Sequence, residues 1–280
     1  MHVLKSIAYL ILLLSFTACD ENPTPTDTER PKGSDKAKTI YNQAYQENFD
    51  EDKIPDIVMH AKNGYVLIDA FQEGVPASIA EIKANGNEVG GYISIGTGED
   101  YRADFAQLQS FLVSTQWGQW PGEYFVNDTN TGIIPIMKAR IDKMAVWGCD
   151  WVEFDNMDWA DDDDLRTQYG FQTTRTEGIT YFQTLCDYVH EKGMKCMAKN
   201  TVDGASDFDG VLYESYDNEK NWWDVAGAQS FLDAGKLVII NHYNESNCDK
   251  VYTDYMNIYN SDLSYICEDT KLKKYVHYNE

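Results

Sequence analysis

Eight short apolar runs alternate along this chain with segments of helical periodicity, and that alternation limits the fold more than any other feature. The runs fall at residues 65–69, 89–95, 123–126, 151–154, 194–198, 211–213, 237–240 and 265–267. Between them lie helix-compatible stretches at 76–84, 134–147, 177–192, 222–234 and 249–259. In the second of these, Ile134, Met137, Ile141, Met144 and Ala145 share one face, the 3.6-residue period of an amphipathic helix. The first four stretches end at Asn85-Gly86, Gly148, Gly193 and Gly235, the usual punctuation of a helix C-terminus.

Strands alternating with helices call for a parallel sheet joined by right-handed crossovers. Eight such units in roughly 245 residues favour an α/β chain folded as a single (β/α)8 TIM barrel over an open doubly wound sheet. A nucleotide-binding reading is disfavoured because no GxGxxG or Walker pattern follows the first strand, and Gly96-Thr-Gly98 is too short to cradle a pyrophosphate.

In a barrel of this kind, residues just past the strand carboxyl ends converge on one mouth. Those ends are Asp69, Ser94, Asp155, Lys199 with Asn200, Glu214 and Tyr243. The string WVEFDNMD at 151–158 is the most pointed of them, because an apolar run finishes in Glu153, Asp155, Asn156 and Asp158. Desolvating unpaired carboxylates costs several kcal/mol, so folding alone gives no reason for this ending. The run GVLYE at 210–214 also ends in an acid. Two carboxylates at two strand ends are the minimum apparatus for acid/base work on a glycosidic bond.

The N-terminus reads as an address. Lys5 precedes the apolar run 7–14, and small residues lead to Cys19, as in a secretory signal whose apolar core is too short to span a bilayer. Small residues before a cysteine resemble a bacterial lipobox, which implies cleavage before Cys19 and lipidation of its thiol. Residues 1–18 are therefore expected to be a lipoprotein signal peptide, 19–37 a polar, proline-containing tether, and 38–280 the barrel. The expected location is the cell envelope, at the outer membrane or surface of a Gram-negative bacterium, with the membrane met through the lipid anchor alone.

The formal net charge of -23 lacks the basic footprint of a nucleic-acid binder and suits a neutral or cationic partner. After Cys19 the cysteines are Cys149, Cys186, Cys196, Cys248 and Cys267, without CxxC spacing. Either Cys248 with Cys267 or Cys186 with Cys196 could bridge. The 5 histidines are scattered, and neither a metal nor a cofactor is expected at the chemistry. The four acids at 161–164 read as a solvated loop, with a structural calcium site as the alternative.

Several strings together resemble the endo-α-1,4-polygalactosaminidase family, glycoside hydrolase family 114. They are YISIGTGEDYR at 92–102, WPGE at 120–123, GCDWVEFDNMD at 148–158 and YGF at 169–171, then HEKG at 190–193, AKN at 198–200, FD at 208–209 and GK at 235–236. The order is the family's own, and coverage runs from about residue 65 to 243. The chain departs from the family in reading YESY at 213–216 and NHY at 241–243. Both acids stand in place, so hydrolysis is expected, while the altered neighbours bear on which sugar is accepted.

The resemblance implies a retaining mechanism with Asp155 as nucleophile and Glu214 as general acid/base. Lys199 is the natural cation beside Asp155, with Asn156 and Asn200 as hydrogen-bond donors. Tyr213, Tyr216, Trp222 and Trp223 are expected to crowd water away from Glu214. Glu153 shares the inward face with Asp155 and is expected to support Lys199. Asp69, Tyr92, Asp158 and Tyr243 are expected to contact sugar, and Glu99 with Arg102 to pair and fix their loop. Trp117, Trp120, Trp159, Trp222 and Trp223 as a group suggest a carbohydrate cleft. The expected activity is endo-hydrolysis of an α-1,4-linked, galactosamine-containing polysaccharide. The alternative is a glycan-binding lipoprotein on the same barrel that has lost catalysis.

Overall fold

The computed structural model describes residues 37–45, 53–130, 132–160, 162–215, 225–259, 262–269 and 275–279. The signal, Cys19 and the tether up to residue 36 lie outside them, as do Asp161, Tyr216, Trp222, Trp223 and the side chain of Asp158. All described residues belong to one unit, residues 33–280.

The described strands are β1 (Ile40–Asn42), β2 (Tyr65–Ile68), β3 (Glu88–Ser94), β4 (Thr97–Glu99), β5 (Glu123–Phe125), β6 (Trp151–Asp155), β7 (Lys195–Lys199), β8 (Gly210–Ser215), β9 (Leu237–His242), β10 (Ser264–Glu268) and β11 (Tyr275–His277). One sheet runs in the order β1-β2-β3-β6-β7-β8-β9-β10-β11. Its first eight strands are mutually parallel, and β11 lies antiparallel on β10. The sheet curls until its two ends meet. Across that seam Asn42 donates to Glu268 at 3.3 Å, the Lys38 amide to Ser264 Oγ at 2.8 Å, and His277 Nδ1 to the Ile40 carbonyl at 3.0 Å. This is the (β/α)8 barrel.

The helices are α1 (Ile54–His60), α2 (Val75–Ala84), α3 (Phe105–Leu108), α4 (Ile133–Trp147), α5 (Asp163–Tyr169), α6 (Arg175–Glu191), α7 (Val225–Asp233) and α8 (Cys248–Tyr259). Each of the five expected helices is present within a few residues of its expected bounds. Helix α6 starts at a capping box, Thr174 and Glu177 each satisfying the other's backbone amide. Its stripe of Tyr181, Phe182, Leu185, Cys186 and Val189 is buried against the strands. Helix α4 stops at Gly148, whose φ of 91° is the left-handed cap. Asp162 caps α5 by accepting from the Leu165 amide, which gives one acid of the 161–164 run a structural role.

Strand alternation divides the interior into two layers. Val66, Ile68, Val152, Phe154, Val211, Tyr213, Val238 and Ile240 face the helices, whereas Tyr65, Leu67, Tyr92, Trp151, Met197, Leu212 and Ile239 fill the barrel. Continuing the inward set to the strand carboxyl ends gives Asn42, Asp69, Ser94, Asp155, Lys199, Glu214, Asn241 and Glu268. A single parity rule thus lines the mouth with polar groups.

One expected strand is placed differently. Residues 123–126 do not enter the barrel; β5 pairs antiparallel with β4 in a two-stranded ribbon that rises from the end of β3. The eighth barrel position belongs to β1, three residues long and too brief to leave a periodic trace. A run such as EYFV reads alike in either sheet, because its signal is burial and not partner.

Candidate active site

Asp155 closes β6 and Glu214 lies one residue from the end of β8, two strands away. The Lys199 ammonium, at the end of the intervening β7, stands 3.2 Å from Asp155 Oδ1 and 3.3 Å from Glu214 Oε1. Those two oxygens are therefore no more than about 6.5 Å apart, the two contacts laid end to end. The Lys199 side chain is 4% exposed, against 15% for Asp155 and 19% for Glu214. The cation is enclosed while both acids remain open to a ligand.

Each acid is held by further donors. Tyr92 Oη donates to Asp155 Oδ2 at 2.8 Å, and the Asn156 amide to Oδ1 at 2.8 Å. Asn200 Nδ2 donates to Glu214 Oε2 at 2.8 Å, and Tyr243 Oη to Oε1 at 2.7 Å. Asn156 and Asn200 take φ of 60° and 58°. That left-handed geometry is open to asparagine but costly for most residues. It turns the chain sharply at two strand ends and aims both side chains back at the mouth. Asn156 Nδ2 then reaches Ser94 Oγ at 2.9 Å and Thr97 Oγ1 at 3.2 Å, tying β6 to the ribbon. Lys199, Asn156, Asn200, Tyr92 and Tyr243 are thus brought together around the two acids.

The remaining expectations fare differently. Asp69 gives both oxygens to Arg102 Nη1, at 2.9 and 2.8 Å, and Arg102 also clasps Glu99. Asp69 is 4% exposed; it anchors a loop through a buried ion triad, and the expected Glu99–Arg102 pair is part of that triad. Tyr213 faces the helix layer, on the opposite side of β8 from Glu214, so its ring cannot shield that acid. Trp159 is buried in the core against Phe171 and Phe182, and Trp117 packs on Phe125. Trp120, at 49% exposed, stays in solvent.

Two groups of the site escaped the sequence reading. Tyr45 follows β1 in a segment without periodicity. Its hydroxyl donates to Glu153 and its ring lies beneath the Lys199 ammonium, 3.9 Å from Nζ to the centroid, close enough for a cation–π contact. Glu123 was legible only as part of a string. The ribbon brings its Oε2 to 2.6 Å from the donating Thr97 hydroxyl. Burial pushes the Glu123 carboxyl up to about 7, opposed by that hydrogen bond and reinforced by the charges of Glu99 and Asp155.

Below Asp155, Glu153 is fully buried, and burial pushes its carboxyl up to about 8, against the opposing pull of Lys199 and the Tyr45 hydrogen bond. On the far side of Glu214 a buried chain leads to the barrel seam. Asn241 Nδ2 lies 3.2 Å from both Tyr243 Oη and Glu268 Oε2, and Lys53 Nζ stands 3.6 Å from Glu268 Oε1. Burial raises the Glu268 carboxyl and lowers the Lys53 ammonium.

The arrangement matches known proteins. The family model described as glycoside-hydrolase family GH114 matches residues 26–280. Among solved structures, Ega3 of Aspergillus fumigatus in complex with galactosamine superposes with a TM-score of 0.67 at 21% identity, over 86% of this chain and 95% of that one. The glycoside hydrolase domain of PelA from Pseudomonas aeruginosa gives 0.61 at 13% identity, over 84% and 95%. An alpha-galactosidase from Thermus thermophilus, in complex with p-nitrophenyl alpha-D-galactopyranoside, gives 0.55 at 11%, over 85% and 58%. At these identities the likeness is one of fold. Among curated proteins none matches the chain.

Proposed function

The chain belongs to glycoside-hydrolase family GH114, and from that premise we propose that it cleaves a galactosamine-containing, α-1,4-linked polysaccharide internally, with retention of configuration. The observation that carries this reading is the Lys199 ammonium bridging Asp155 and Glu214 at one barrel mouth. Its limit of about 6.5 Å between their nearest oxygens accommodates the roughly 5–5.5 Å spacing of a retaining pair. An inverting pair needs room for a water between its acids, and the shared cation leaves little.

In this mechanism Asp155 attacks the anomeric carbon while protonated Glu214 gives its proton to the departing glycosidic oxygen. The carbon–oxygen bond breaks as the glycosyl–Asp155 ester forms. Glu214 then takes a proton from water, whose oxygen displaces Asp155 and frees the new reducing end. Tyr92 and the Asn156 amide fix the plane of the nucleophile, and Tyr243 with Asn200 fix that of the acid/base. Galactosamine as the sugar is favoured by the bound galactosamine named for Ega3 and by the net charge of -23, which draws in a cationic polymer.

Anchoring at the cell envelope through Cys19 is part of the same proposal. A disulfide between Cys248 and Cys267 is at home in the oxidising surroundings such a route leads to.

Incubation with partly deacetylated α-1,4-galactosamine polymer tests the reading. Shortened oligomers with α reducing ends, and losses of roughly 10³-fold or more in Asp155→Asn and Glu214→Gln, are expected. No products from the folded protein would remove the substrate, and β reducing ends would remove the covalent role of Asp155.

A further inference from the structure

The β4–β5 ribbon has an inner and an outer end. Thr97, at the inner end, touches Asn156 beside the nucleophile. The register pairs Glu99 with Glu123, so Tyr101 and Trp120 both emerge where the ribbon opens into its connecting loop. Asp100 and Gly122 meet there through a 2.8 Å backbone hydrogen bond. Tyr101 and Trp120 are two of the most exposed aromatic rings among the described residues, at 62% and 49%. Tyr101 lies four steps along the chain from Thr97, a reach of at most about 13 Å of extended chain.

Tyr101 is exposed yet fixed. Its hydroxyl donates to the buried carboxylate of Glu99, and the Arg102 guanidinium lies 5.0 Å from its ring centroid. Arg102 is itself 10% exposed and held by Asp69 and Glu99. A surface tyrosine ordinarily surrenders side-chain freedom when it binds; here the buried ion triad has already removed that cost. Asp100, exposed and next in sequence to Tyr101, turns its carboxylate toward Gly122 across the same ribbon end. An exposed aromatic ring at a ribbon end that also carries an exposed acid suits the ring face and the ammonium of an amino sugar.

We propose that Tyr101, with Trp120 at the same end of the ribbon, is a stacking platform for an amino-sugar unit of the bound polysaccharide several residues away from the bond that is cut. The platform rests on the polysaccharide reading of the active site and extends it outward along the chain. It gives the Asp69–Arg102–Glu99 triad a purpose beyond stability, since the triad holds the platform ring in place.

The test is kcat/KM on galactosamine oligomers of increasing length for wild type, Tyr101→Ala and Tyr101→Phe, beside titration of long galactosamine chains into Asp155→Asn with and without Tyr101→Ala. The expected loss in Tyr101→Ala grows with length, exceeding the loss on the shortest cleavable oligomer by about tenfold, the worth of one aromatic stacking contact. Tyr101→Phe, which keeps the ring but loses its anchor to Glu99, recovers part of it, and Tyr101→Ala raises the dissociation constant in the Asp155→Asn background by about the same tenfold factor. Equal loss at every length, or none, overturns the platform while leaving the hydrolase reading intact. Absence of both cleavage and binding of these chains overturns the two together.

Discussion

Glu153 sits two residues below Asp155 on the inward face of β6, and Oε2 has no hydrogen-bond partner among the described residues. A buried ionised carboxylate with an orphaned oxygen would be expensive, whereas a neutral acid is tolerated there. This agrees with a carboxyl pushed up by burial from 4.5 to about 8. The folded state then binds this proton more tightly than the unfolded chain does. The resulting stability is fully present below about pH 4.5, is lost as pH climbs to about 8, and stays lost above. Over that window the loss is on the order of a few kcal/mol. Glu153→Gln should flatten this slope, so that denaturant midpoints measured from roughly pH 5 to 9 diverge from wild type toward the alkaline end. Parallel curves would show that Glu153 is ionised throughout. Lys199 acts at the same scale in the opposite sense, as one charge serving two acids. Lys199→Met leaves the two acids facing each other without it and should lower kcat by about 10²–10³-fold, read on any substrate the wild type cleaves. An activity within threefold of wild type would mean that the bridge is incidental to chemistry.

The ribbon is the element that turns a plain barrel into this site. It positions Glu123, supplies Thr97 to Asn156, and carries Tyr101 outward. It is pinned at its root by Gly96. A Cβ there would come 1.7 Å from the Asn156 carbonyl oxygen and 2.6 Å from Trp159 Nε1, and the Ile95 and Gly96 amides both donate to the Asp155 carbonyl. Gly96→Ala must therefore push the end of β3 away from the end of β6. It should lower both melting temperature and activity, with activity falling by at least about tenfold even where the protein remains folded, since small misplacements of catalytic groups are costly. Full activity in a folded Gly96→Ala protein would break the claimed link. The strands ending in Asp155, Lys199 and Glu214 were legible because apolar runs with polar ends obey strand parity, and the helices because glycines close them. The acids stood out as exceptions to burial. The ribbon was not legible, since EYFV carries no mark of its pairing partner, and β1 with Tyr45 was too short to register. Asp69 looked like a site residue by parity alone; its capture by Arg102 depends on a loop whose path no local pattern encodes.

Across the whole molecule two long-range features bear on function. The Cys248–Cys267 bridge links the start of α8 to β10, next to the seam where the barrel closes. That seam reaches the active site through Glu268, Asn241 and Tyr243, so closure of the cylinder and orientation of Glu214 are mechanically joined. The second feature is the field of a chain with net charge -23 and a sequence pI near 4.4. Such a surface repels anionic polymers and gathers cationic ones, and the attraction acts over a Debye length of about 10 Å at 0.1 M salt. Local contacts at Asp155, Glu214 and Tyr101 are shorter than this and are screened far less. Salt therefore separates the two contributions. Between about 0.05 M and about 0.5 M salt, kcat/KM on a deacetylated, positively charged galactosamine polymer should fall by about tenfold, mainly through KM. The same change should alter kcat/KM on a fully N-acetylated, neutral polymer by less than about twofold. Equal salt responses for the two polymers would mean that the acidic surface serves only solubility and has no part in drawing substrate to the mouth.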